Sequence, residues 1–110
     1  MSYGIKVGDL EPPLEAVLFK SAGGALLDLT EADTVVAHVR CMEDDPPPLI
    51  SREVQVVDAD AGVVRFEWQA GETDIPGLYE IEFEITWSNA RSQTVPTKSN
   101  QTFRIYQAIA

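Results

Sequence analysis

Histidine and cysteine, the residues that most readily carry catalysis, occur once each in this chain, at His38 and Cys41. Nucleophilic catalysis needs a thiol or hydroxyl held within hydrogen-bond distance of a base. Both residues lie in a β-branched segment that favours a strand, where an offset of three places side chains on opposite faces. We therefore predict a structural histidine, a buried inert thiol, no catalytic residue and no enzymatic activity.

Acidic turn residues could bind calcium, because this ion prefers carboxylate ligands. Asp58-x-Asp60-x-Gly62 resembles the start of an EF-hand loop, but its glycine comes one position early and Gln69 stands where the closing glutamate belongs. Solvated turn residues are the simpler interpretation, and we predict no metal and no cofactor. Calcium between loops stays open as an alternative, with the candidate ligands Asp44, Asp45, Glu72 and Asp74.

Three glutamates, Glu80, Glu82 and Glu84, stand at every second position of one segment. In a strand they share a face at intervals of about 6.5–7 Å. This spacing is too wide for one metal ion and does not suit the two carboxylates of a retaining glycosidase. We predict a solvated face with Arg65 or Arg104 as cross-strand partners. The alternative is a docking face for a basic neighbour.

The strand that carries these glutamates, Gly77–Trp87, organises the predicted fold. Large apolar side chains alternate with its polar ones, so one face is expected to be buried in the core and the other to be exposed to solvent. The strand is expected to lie centrally in its sheet. The residues predicted to point inward are Tyr79, Ile81, Phe83, Ile85 and Trp87.

Short strands separated by Pro, Gly and Asp turns account for most of the remaining chain. Apolar alternation places Trp68 inward with Val64 and Phe66. Residues 1–13 are expected to form an edge strand or an arm that ends at two prolines. The other predicted strands are Leu14–Lys20, Thr34–Met42, Ile50–Val57, Gly62–Trp68, Gln93–Val95 and Thr102–Tyr106. We therefore predict one all-β domain, residues 1–110, built as an antiparallel sandwich of about seven to nine strands.

The net charge of −10 argues against binding nucleic acid or an anionic membrane, because both need clustered Lys and Arg. The sequence has no apolar run long enough to predict a transmembrane helix, and its first residues do not resemble a signal peptide. A single cysteine cannot form an internal disulfide. We expect synthesis in a cytoplasm, with stability that comes from packing.

The spacing of Asp74, Gly77 and Tyr79 matches the tyrosine corner of immunoglobulin-like domains, in which the tyrosine hydroxyl bonds upstream backbone. Ile81 stands where antibody domains have their second cysteine. The third-strand candidate also lacks the core tryptophan, so antibody-type domains are excluded and the wider immunoglobulin-like class is favoured.

Over almost the full chain, several blocks resemble small immunoglobulin-like bacteriophage structural proteins, similar to the N-terminal domain of the phage baseplate upper protein. The blocks are Ile5-Lys6-Val7-Gly8-Asp9, Pro12-Pro13-Leu14, Leu27-Asp28-Leu29-Thr30, Val57-Asp58, Gly62 to Trp68, Asp74 to Tyr79 and Glu82-Phe83-Glu84. The resemblance implies a non-enzymatic virion component that anchors or adapts other parts of the particle. It implies no catalytic residues.

From this resemblance we expect a virion protein whose partners are other virion proteins and copies of itself, in a tail or baseplate. A head-decoration or neck component is the first alternative. The second is a carbohydrate- or surface-binding module, which would need exposed aromatic side chains. Edge strands and the N-terminal arm are expected to assemble by main-chain pairing with a neighbouring sheet. The predicted contact residues are Tyr3, Ile5, Lys6, Pro46, Pro47 and Pro48.

Overall fold

Nine strands in two sheets make up the computed structural model, which describes residues 3–20, 25–43, 49–96 and 101–109. The strands are β1 (Gly4–Lys6), β2 (Leu14–Val17), β3 (Ala32–Cys41), β4 (Leu49–Glu53), β5 (Gln55–Asp58), β6 (Val63–Phe66), β7 (Gly77–Trp87), β8 (Ser92–Val95) and β9 (Gln101–Tyr106). One sheet has the order β1-β9-β7-β3-β4, with β8 also paired to β7, and the other has the order β2-β6-β5. The predicted all-β sandwich of seven to nine strands is confirmed.

Strand β7 is central, as its alternation predicts. It pairs with β3 along its whole length, while β9 and β8 share its other side. Tyr79, Ile81, Phe83 and Ile85 are buried in the core between the sheets. Trp87 differs from the prediction, because it lies at the end of β7 beside the turn to β8 and is only half-buried against the core.

The predicted strand Ile50–Val57 is wrong as a single element. The chain leaves the larger sheet after β4 and enters the smaller sheet as β5, with Val54 between them. Val54 is buried and its amide still donates to the Val35 carbonyl at 2.9 Å. Because both strands have the same period, alternation alone does not reveal where a chain changes sheets.

The pairing is antiparallel except at the N-terminal edge, where β1 runs parallel to β9. Residues 1–13 were expected to form an edge strand or an arm, and β1 takes the edge position. The strands β3, β7 and β9 occupy the C, F and G positions of an immunoglobulin-like sandwich, and β2, β6 and β5 occupy B, E and D.

The tyrosine corner is confirmed. The Tyr79 hydroxyl donates to the Ile75 carbonyl at 2.7 Å, where the chain enters β7 from the smaller sheet. The Tyr79 ring stacks on Phe103 with centroids 5.6 Å apart. Trp68 packs edge-on against Phe66 at 4.9 Å, so its predicted inward orientation is also confirmed.

Replacing Tyr79 with phenylalanine is expected to lower the free energy of unfolding by about 1–1.5 kcal/mol. The substitution removes the donor to the Ile75 carbonyl from a partly buried hydrogen bond, while it keeps the ring stacking. Urea denaturation followed by tryptophan fluorescence measures the change. Tyr106→Phe is the matched control, since Tyr106 is an exposed tyrosine and its variant is expected to stay within about 0.5 kcal/mol of the parent. Equal effects of the two substitutions would contradict the role of the corner.

Candidate contact surfaces

The N-terminal strand is held within the domain. Ile5 is only 4% exposed and belongs to the core. The Trp68 indole donates to the Tyr3 hydroxyl at 2.8 Å, and that hydroxyl donates to the Pro12 carbonyl at 2.6 Å. Of the three predicted contact residues in this segment, Tyr3 and Ile5 therefore serve the fold, and Lys6 presents its side chain to solvent.

The outer face of the larger sheet carries the predicted glutamate ladder. Arg40 on β3 forms an ion pair with Glu80, and the His38 Nε2 atom lies 3.1 Å from Glu84 Oε1. The other ring nitrogen of His38 lies 2.7 Å from the Ser51 hydroxyl on β4. These side chains form a polar row across three strands, so the glutamates are paired mainly with β3.

The predicted partners of this ladder were wrong. Arg65 lies in the other sheet, where it pairs with Glu15 at 2.6 Å. Arg104 on β9 lies opposite Leu78 of β7, and its Nη1 atom lies 3.7 Å from Glu43 Oε1. The physical reason is sheet order, because β3 runs beside β7 for its whole length and places its basic residues opposite the glutamates.

An open depression of about 270 Å³ lies on this outer face. Glu82 lines this depression. Its carboxylate makes no ion pair with any residue that the structure describes, since the basic side chains of this face pair with Glu80 and Glu84. The arrangement can accept a basic group of a partner, as the docking alternative predicts. The lining residues are His38, Arg40, Leu49, Glu80 and Glu82.

The other predicted chemical groups do not come together. Cys41 is buried in the core, on the opposite face of β3 from His38, as the offset predicts. Of the calcium candidates, Asp44 and Asp45 lie outside the described residues, and Glu72 is bound by Arg52. Within the described ranges, no group of three or more His, Cys, Asp or Glu side chains could hold a metal ion.

Arg52 is a structural residue that the sequence interpretation missed. Its guanidinium binds both carboxylate oxygens of Glu72, at 2.6 and 3.0 Å, and donates to the Glu67 carbonyl at 2.6 Å. It also lies over the Phe66 ring, 4.4 Å from the centroid. The sequence offers one indication of this structural role, because Arg52 falls between Ile50 and Val54 on the inward face of its segment.

The pKa of Glu72 reflects two opposing effects. Partial burial works to raise the pKa, whereas hydrogen bonds from Arg52 and the Gln69 amide, together with the Arg52 charge, lower it. The lowering prevails, so the pKa of Glu72 lies below its usual value. The carboxylate and guanidinium therefore remain an ion pair that closes the β4 side of the sandwich.

The sheet edges on β1, β4 and β5 carry features that discourage pairing with another chain. β1 has only three residues, and β5 has a register irregularity between Val56 and Asp58. On β4 the inward-pointing charge of Arg52 stands at the edge. Short strands, bulges and inward charges are all known ways to protect a sheet edge. Pro46, Pro47 and Pro48, the predicted loop contact before β4, lie outside the described residues.

The edge on β2 has neither a bulge nor an inward-pointing charge. The Leu18 amide donates to the Gly62 carbonyl at 2.8 Å, so alternation turns the main-chain groups of Glu15, Val17 and Phe19 away from β6. No other described strand pairs with this side. Val17 and Phe19 are 47% and 45% exposed, which leaves an apolar open edge.

Exposed aromatic rings are few among the described residues. Trp68 is buried, and the half-buried Trp87 packs against the core, so neither offers a free ring face to a sugar. Phe19 and Tyr106 are about half exposed, and they are separated in the fold, since Phe19 follows β2 of the smaller sheet and Tyr106 ends β9 of the larger sheet. The described surface therefore provides no aromatic platform of the kind that the carbohydrate-binding alternative needs.

No protein-family model matches the chain, and no curated protein matches it significantly. Among the described residues there is no helix long and apolar enough to cross a bilayer.

Proposed function

We propose that this chain is a non-enzymatic structural protein of a bacteriophage virion that acts as a tail or baseplate adaptor or attachment component. The observation that carries the proposal is the resemblance to small immunoglobulin-like phage proteins, whose blocks extend in order from Ile5 to Glu84. In such proteins the domain joins other parts of the particle through protein contacts.

The position of the blocks in the fold supports this reading. Gly8-Asp9 lies at the turn after β1, Gly62 to Trp68 contains β6, and Asp74 to Tyr79 forms the tyrosine corner. These segments determine how the two sheets are joined. The resemblance therefore involves the elements that shape an immunoglobulin-like sandwich, beyond matches in exposed loops.

The surfaces of the sandwich suit assembly by protein contact. The edge of β2 offers free main-chain donors and acceptors, and Glu82 offers an unneutralised carboxylate on the opposite sheet. Strand addition and charge pairing with a basic neighbour both use such features. The net charge of −10 would favour a basic partner surface within the particle.

Immunogold electron microscopy of purified phage particles, with an antibody against this chain, tests the proposal. Label at the tail tip or at the fibre attachment is the expected result, and preimmune serum is the control. Label over the capsid or neck would replace the adaptor role by head decoration or connection. The absence of label on both intact and disrupted particles would overturn a virion function altogether.

A further inference from the structure

The edge of β2 presents main-chain groups that are prepared for a partner strand. Glu15, Val17 and Phe19 direct their amides and carbonyls outward, and this stretch contains no proline and no inward-pointing charge. By contrast, the edge on β1 is short, the edge on β5 is irregular and the edge on β4 carries Arg52. An edge that lacks these protections is a surface suited to strand pairing.

We propose that two copies of this chain associate by antiparallel pairing of their β2 strands about a two-fold axis at Val17. In this register Val17 faces its own counterpart, and Glu15 faces Phe19 of the second copy. All these residues present outward main-chain groups, so the pairing forms about six hydrogen bonds. It joins the two three-stranded sheets into one continuous sheet of six.

The side chains around the edge favour a second copy as the occupant. Val17 and Phe19 share the outer face of the smaller sheet, and Leu26, 45% exposed, forms a β-bridge with Phe19. A two-fold axis at Val17 brings both apolar clusters onto one continuous face. Removing this apolar surface from water favours association.

The charges at this edge also permit self-association, although the chain as a whole carries −10. Glu15 is neutralised by Arg65, whose Nη2 and Nε atoms lie 2.6 and 2.8 Å from its carboxylate. Lys20 follows the edge with a positive charge. The outer face of the other sheet holds the glutamate ladder and would repel its own copy, so the β2 edge is the better surface for like chains.

This inference depends on the described edge and not on a virion location. It would nevertheless supply a contact of the kind that the proposed assembly role requires. The two ideas can fail separately, because self-association is measured on the purified chain and virion location on particles.

Sedimentation velocity of the full-length chain over a range of concentrations is the first test. We expect a concentration-dependent dimer, and Val17→Lys is expected to weaken dimerisation at least tenfold. Val57→Lys is the matched control, because Val57 is 42% exposed at the opposite edge of the same sheet and the variant has the same charge change. Far-UV circular dichroism confirms that both variants fold.

Disulfide trapping tests the register. Val17→Cys faces itself across the axis in a hydrogen-bonded pair, where the Cα atoms stand about 5.5 Å apart, within the range of a disulfide. Under mild oxidation we expect Val17→Cys to form disulfide-linked dimers rapidly and Val57→Cys to form few of them. The buried Cys41 is expected to stay unreacted. Equal trapping of the two variants would overturn the pairing, as would a strictly monomeric parent chain. If the parent chain were monomeric and Val17→Lys still prevented its incorporation into particles, the partner at the β2 edge would be a strand of another virion protein.

Discussion

Replacing Arg52 with methionine is expected to lower the free energy of unfolding by about 2–3 kcal/mol. The guanidinium makes two bonds to Glu72 and one to the Glu67 carbonyl, and it covers the Phe66 ring. Methionine retains much of the apolar stem but leaves a partly buried carboxylate without its counter-charge. Residual solvent access keeps the expected loss below that of a fully buried pair. Urea denaturation at neutral pH measures the change.

The pH dependence of this loss separates the ion pair from simple packing. Because the folded state lowers the pKa of Glu72, the pair stabilises the protein above the unfolded value of about 4.3, and this stability is lost as the pH falls through the folded pKa. The difference in the free energy of unfolding between the parent and Arg52→Met is therefore expected to become smaller as the pH falls from 6 to 3. A difference that stayed constant would assign the effect to packing alone.

Replacing Gly62 with alanine is expected to cost at least about 3 kcal/mol. Gly62 has a φ of +69°, and a Cβ there would stand 2.6 Å from the Leu27 carbonyl oxygen and 2.9 Å from that of Leu18. Both atoms belong to the main chain and cannot rotate away. The hairpin that leads into β6 would have to separate from the end of β2. Thermal and urea unfolding measure the loss.

Gly71→Ala is the matched control for this substitution. Gly71 also has a positive φ, +89°, but a Cβ added there would stand no closer than 3.9 Å to its nearest neighbour, the Asp74 carboxylate. We expect only the cost of the left-handed backbone, about 1–2 kcal/mol. If the two alanine variants lost the same stability, the close approach at Gly62 would not matter.

Much of the fold could be predicted because it depends on local alternation. The inward faces of β3, β7 and β9 follow from a period of two, and so does the separation of His38 from Cys41. The tyrosine corner could be predicted because its residues are close in sequence. These features need no knowledge of which strands are neighbours.

The contact surfaces were predicted less well because they depend on neighbours distant in sequence. Arg40 rather than Arg65 meets the glutamate ladder because β3 lies beside β7. Ile5 is buried because β1 joins the edge of β9, and a short apolar segment looks the same whether it is free or paired. The virion role remains a proposal that follows from the resemblance.

The all-β class, the central strand and the buried faces follow from local patterns, because side-chain alternation and turn residues act over a few positions. Three other features depend on the tertiary fold: the change of sheets at Val54, the binding of Glu72 by Arg52 and the open edge of β2. These features come from sheet order, which long-range pairing of main-chain groups sets and which no local pattern encodes.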